Sequence, residues 1–121
     1  MPSLMSQSHG QVLVVYFTDA RILEEAKMQE IGRELMEFEA RCSSQKLLLN
    51  FEGVRFMSSA MLGKLVQLNK KCKEDKIDLK LCSINDSVME VFTLTRLNKI
   101  LDIHANEEGA LKAFGSKGFF I

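Results

Sequence analysis

The sequence predicts an α/β domain built on a largely parallel sheet, and three observations carry that expectation. Short apolar, β-rich runs alternate along the chain with stretches whose apolar residues recur at helical spacing. The helical stretches are long enough to cover a crossover between parallel strands, a connection that is almost always right-handed. No internal repeat, low-complexity stretch or proline-rich linker divides the chain, whose single proline is Pro2, so one domain is expected.

Residues 1–10, MPSLMSQSHG, are polar and aperiodic and read as a short disordered lead-in. Val12 to Phe17, VLVVYF, is β-branched, aromatic and almost continuously apolar, which suits a strand buried on both faces. Met28, Ile31, Leu35 and Phe38 then recur at helical spacing, with Glu24, Glu25, Lys27, Glu34 and Glu37 between them, predicting an amphipathic helix over 24–40. Its first acidic residues suit the positive end of the helix dipole. Lys46 to Phe51 is the next strand, and Gly53 to Phe56 carries the chain off its end. A helix over 59–73 follows, with Met61, Leu65, Leu68 and Cys72 on one face, Leu62 and Val66 widening it, and Lys64, Lys70, Lys71 and Lys73 on the solvated remainder.

Ile77 to Ser83 alternates like a strand, and Asn85 or Asp86 is placed to cap a short helix bearing Val88, Met89 and Phe92. Ile100 to Ile103 reads as a last short strand. Asn106 stands as the N-cap of a final helix with Glu107 and Glu108 in its first turn and Ala110, Leu111 and Phe114 facing inward. The domain is thus bounded at 11–115, and residues 116–121 form a C-terminal tail whose Phe119 and Phe120 pack on the domain or offer an apolar contact to a partner or a second copy, as in a homodimer.

The 121 residues are 46% hydrophobic and 26% charged, and sixteen basic side chains balance sixteen acidic ones. Nothing in that balance favours a nucleic acid or an anionic membrane surface as partner. Cys42, Cys72 and Cys82 are odd in number and lack metal-ligand spacing, so neither a disulfide framework nor a metal site is expected. No signal-peptide pattern and no apolar run of bilayer-spanning length occurs, which points to the cytoplasm. The phosphate-cradling GxxxxGK[ST] and GxGxxG patterns are absent, and no cofactor is implied. His9 and His104 stand at neither end of a credible nucleophile–base pair, so catalysis is not expected.

The most informative segment is GVRFMSSAMLG, Gly53 to Gly63, which sets two serines where an apolar strand gives way to an amphipathic helix. Ser58 is placed to cap that helix. A phosphate on Ser59 would bring about −1.5 to −2 charge to the helix start. The helix N-terminus accommodates such a charge, while a docked partner facing it would be repelled.

From Gly53 to Ile103 the residues resemble the core of the STAS domain of bacterial anti-sigma-factor antagonists, and the likeness runs from the Val12 strand to the Leu111 helix. In that family an apolar strand end is followed by Asp-Ser-Ser/Thr-Gly-Leu-Gly at a helix start, and later by a Leu-x-x-Leu-x-x-Ile segment. Phe56 to Gly63 matches the first, with Ser58 for Asp, Ala60 for Ser/Thr and Met61 for Gly. Leu94, Leu97 and Ile100 match the second. The resemblance implies a four- or five-stranded, mostly parallel mixed sheet with about four helices mainly on one face. It implies a non-enzymatic regulator of sigma-factor-dependent transcription that binds an anti-sigma factor with serine kinase activity and a histidine-kinase-like ATPase fold. It also implies Ser59 as phosphoacceptor, a phosphatase that reverses the modification, and Ser58, Ser59, Ala60, Met61 and Leu62 as the docking surface. The altered motif equally suits a STAS module that is not phosphorylated and senses a small ligand or lipid, or serves as a protein-interaction scaffold. A response-regulator receiver is similar in size and element order, but Asn50 and Glu52 end the middle strand where that family requires a phosphoacceptor Asp.

Overall fold

The structure, a computed structural model, describes residues 3–119 and the side chains as far as residue 115. Strands β1 (Leu4–His9) and β2 (Val12–Phe17) form an antiparallel hairpin, and β3 (Arg21–Ile22) leads to helix α1 (Glu25–Arg41). Strand β4 (Lys46–Asn50), the two-residue β5 (Phe56–Met57), α2 (Met61–Glu74), β6 (Asp78–Cys82) and α3 (Asp86–Leu94) follow. A 3₁₀ turn (Leu97–Lys99), β7 (Ile103–His104) and α4 (Glu107–Phe119) complete the order.

The main sheet has the order β1-β2-β4-β6-β7, parallel except for the first pair, and β3 pairs with β5 as a separate parallel ribbon. The expected α/β class and mixed sheet are therefore present, with five strands and four helices. Leu13, Val15 and Phe17 of β2 point to one face with Leu47, Leu49 and Leu81, where Met28, Ile31 and Leu35 of α1, Leu65 and Leu68 of α2 and Phe92 of α3 close over them. Phe51 lies at the centre of this layer, 4.5 Å from the Phe17 ring and 6.3 Å from that of Phe92. The opposite face carries a smaller core, in which Ala110 and Phe114 of α4 cover Val12, Val14, Leu48 and Cys82. Register places Tyr16, Asn50, Cys82 and His104 in one row across that face, at the carboxyl ends of four strands.

The expected disordered lead-in is corrected by β1. Its side chains are mostly exposed, but its start is held by distant groups. The buried Glu34 carboxylate accepts the N–H groups of Ser3 and Leu4 at 3.0 to 3.1 Å, and the Ser3 carbonyl accepts the Thr18 N–H at 3.0 Å. Glu34 is thus an anchor, and no part of the solvated helix face to which its spacing assigns it. Gly10 occupies the first of the two loop positions between β1 and β2 at φ 62°, a conformation glycine adopts without strain.

Two other expectations shift. The last strand is Ile103–His104 alone; Ile100 closes the 3₁₀ turn and is exposed, because α3 ends at Leu94 and Arg96 turns the chain with φ 63°. Helix α4 runs on to Phe119, past the boundary drawn at residue 115. The Phe119 side chain and Phe120 lie outside the described residues.

Candidate functional site

The two serines sit in the turn that joins β5 to α2, and this turn is pinned from three directions. The Ala20 carbonyl accepts the N–H groups of Arg55 and Phe56 at 2.8 and 3.0 Å, and the Ile22 carbonyl accepts that of Ser58 at 2.9 Å, so the β3 ribbon fixes the approach. Asn85 Nδ2 donates to the carbonyls of Val54 and Arg55 at 3.1 and 3.3 Å, while Asn85 Oδ1 accepts the Val88 N–H at 2.8 Å. One side chain therefore caps α3 and holds the strand leading to the serines. The sequence signals the cap, since Asn precedes a short apolar helix, but carries no sign of the second bond, which spans about thirty residues of chain.

Ser58 acts as a cap. Its Oγ accepts the Ala60 N–H at 3.2 Å and its carbonyl accepts the Met61 N–H at 3.0 Å, so the first turn is tight before the regular helix begins. Ser59 is exposed, and its hydroxyl makes no hydrogen bond among the described residues. No acidic side chain stands in the first turn of α2. A negative charge there meets the positive end of the α2 dipole, with Lys64 and Glu25 lining the small pocket beside Ala60.

The five expected docking residues divide. Ser58, Ser59 and Ala60 reach the surface, whereas Met61 and Leu62 are 0% and 3% exposed and belong to the core. They face inward because the helix period that aligns Met61 with Leu65 and Leu68 turns them onto the sheet. Met61 and Leu62 are therefore corrected from contact residues to packing residues. The surface around the turn is instead widened by Phe56 and Leu23, both partly exposed, with the Arg21 guanidinium 5.1 Å above the Phe56 ring. Periodicity alone does not find these two, because each follows or lies in a two-residue strand.

Cys42, Cys72 and Cys82 are free and buried. Burial pushes the Cys72 thiol up to about 12, so it is inert as a nucleophile at neutral pH. No cluster of metal-ligating side chains occurs among the described residues, and none of their helices is long and apolar enough to cross a membrane. His104 Nε2 lies 3.0 Å from Asp102 Oδ1 and His9 Nε2 lies 3.7 Å from Glu107 Oε2.

Residues 4–110, which span the sheet, the ribbon before α2 and the capped serine turn, match a family model described as the STAS domain. The chain belongs to the STAS domain family. Solved structures similar to this STAS domain include an anti-sigma factor antagonist from Mycobacterium paratuberculosis, at 18% identity and a TM-score of 0.80 over 91% of each chain. An anti-sigma-factor antagonist (STAS) domain protein from Planctomyces limnophilus is 24% identical, with a TM-score of 0.79 over 91% of this chain and 96% of its own. The Bacillus cell fate determinant SpoIIAA in its phosphorylated form is 15% identical, with a TM-score of 0.66 over 92% and 98%. At such identities the likeness establishes the shared fold.

Proposed function

We propose that this STAS domain is an anti-sigma-factor antagonist. It docks onto an anti-sigma factor, itself a serine kinase of histidine-kinase-like ATPase fold, through the surface around Ser58, Ser59 and Ala60. Phosphorylation of Ser59 ends the interaction, and a phosphatase restores it. The observation that carries this reading is the exposed, unbonded Ser59 hydroxyl one residue past a cap, at the open end of a helix with no acid in its first turn. The phosphorylated form of SpoIIAA, a protein of the same fold, supports it.

The departures from the family motif favour a second reading, in which the domain is not phosphorylated and senses a small ligand or acts as a scaffold. Ser58 replaces the acidic residue a kinase would read, and the buried Met61 occupies a position that is glycine in the family pattern. Parallel capture from the source cells with the wild-type protein and Ser59→Asp as baits separates the two. Retention of an ATPase-fold serine kinase by the wild type, with at least about tenfold loss on Ser59→Asp, is the expected outcome. A tenfold change corresponds to about 1.4 kcal/mol. Equal retention by both baits removes Ser59 as the switch. Recovery of no such kinase sinks the antagonist assignment in favour of the ligand or scaffold reading.

A further inference from the structure

Helices α1 and α2 end side by side, at the opposite end of α2 from the serines, and a carboxyl group is enclosed where they meet. Glu39, in the last turn of α1, is 2% exposed, and no N–H or O–H donor of another residue reaches either of its oxygens. Around it lie Asp75, which caps α2, Lys71 and Glu74 from the last turn of that helix, and the buried thiols of Cys72 and of Cys42 at the end of α1. Lys71 Nζ is engaged at the surface, 3.5 Å from Asp75 Oδ2. An ionised carboxylate so enclosed has no donor to satisfy it, and the carbonyl ends of two helices add to the negative potential. A protonated one supplies its own donor, and Asp75 is the acceptor beside it.

We propose that Glu39 is held protonated in the folded chain, donating its proton to Asp75, and that loss of this proton loosens the paired ends of α1 and α2. The electrostatics agree with the geometry. Burial first, then the hydrogen bond to Asp75 and its charge, push Glu39 from 4.5 up to about 7, against the pull of Lys71. Asp75 is correspondingly lowered, first of all by its hydrogen bond to Glu39. Between about 4.5 and 7 the folded chain holds a proton that the unfolded chain has released. Stability therefore falls as pH rises through that window and is level above it. The device makes the helix pair that carries the serine turn sensitive to proton concentration near neutrality.

The test is denaturant unfolding of the full chain at pH 5, 6, 7 and 8 for the wild type and Glu39→Gln, whose amide donates to Asp75 at every pH. The unfolding constant of the wild type relative to the variant is expected to rise about tenfold or more from pH 5 to pH 8, since each unit of pKa shift is worth a factor of ten. Every other titratable group is common to both proteins, so parallel curves overturn the proposal. A carbon-detected NMR titration of the Glu39 carboxyl in the wild type decides the matter even if the variant does not fold. A midpoint near 7 supports the proposal, and one in the ordinary carboxylate range, about 4.3, overturns it.

Discussion

Under α1, α2 and α3 the sheet is sealed by one continuous apolar layer, whereas under α4 the contact mixes a small apolar core with polar pegs. On the first face Phe17, Phe51 and Phe92 pack ring against ring through the middle, and its buried carboxyl groups, Glu34 and Glu39, are both carried by α1. On the second, Tyr16 Oη and Asn50 Nδ2 both donate to Glu107 Oε1, at 2.9 and 2.8 Å, and tie the first turn of α4 to two strand ends. Lys80, 4% exposed, donates to Asp102 Oδ2 at 2.7 Å with its Nζ 4.9 Å from the Phe114 ring. The first arrangement makes a single cooperative unit, and the second a cover with its own points of attachment. The serine turn grows from the first face, so its geometry inherits the stability of the larger core.

The same substitution on each face tests the contrast. Phe51→Ala is expected to cost about 4–5 kcal/mol, at the upper end for a buried ring, because the cavity lies among rigid neighbours that cannot collapse. Phe114→Ala is expected to cost about 3 kcal/mol, at the lower end, since α4 can shift to fill the gap. Denaturant unfolding measures both. Hydrogen exchange adds a sharper readout: in Phe114→Ala the α4 amides should exchange by local opening while those of β4 stay protected. Equal acceleration in α4 and β4 would show that the two faces unfold as one.

How much of this was legible in the sequence depended on whether a residue's role was set by its neighbours in the chain. The strand Val12–Phe17 was legible residue for residue, α1 and α2 within one or two positions, and α3 and α4 at their capped starts, because burial on one side imposes a period on a long element and a cap marks where it begins. The strand Leu4–His9 was not, since an edge strand with polar side chains has no apolar period and is fixed by Glu34 and Thr18 from elsewhere. The two-residue ribbon of β3 and β5 is too short to show any period. In the site, the Ser58 cap follows from a serine before an apolar helix, but the anchoring role of Asn85 arises only in three dimensions. The burial of Glu39 was hidden for a related reason: a glutamate in a helix reads as solvated until the neighbouring helix end is in place.

The pegs under α4 define the smaller effects. Tyr16→Phe removes one of two donors to Glu107 and leaves the ring in place, for an expected loss of about 1 kcal/mol. Burial, with the Glu107 hydrogen bond and charge, raises the Tyr16 phenol from 10.0 to about 12. The wild type should therefore lose stability as pH rises from about 10 to 12, with Tyr16→Phe losing less over that range. Unfolding measured at pH 9 and 11 checks this, and identical losses in both proteins would remove the Tyr16 bond as a point of attachment.

Lys80→Met is expected to have the least effect, within about 1 kcal/mol of wild type at pH 7, although it deletes a buried charge. Asp102 is 49% exposed and regains water when its partner is lost, while the methionine fills the volume of the lysine stem and places sulfur near the Phe114 ring. The pH dependence distinguishes this from a charge that does nothing. Burial raises Asp102, but the hydrogen bond and charge of Lys80, with His104, outweigh it and leave the carboxyl below 3.8. Its contribution is present above 3.8 and is lost as pH falls through the lower, folded value, so the wild type should weaken in acid more than Lys80→Met does. A loss of about 3 kcal/mol or more at pH 7, the range for breaking a buried pair, would instead mean that the α4 face depends on this ion pair as the other face depends on Phe51.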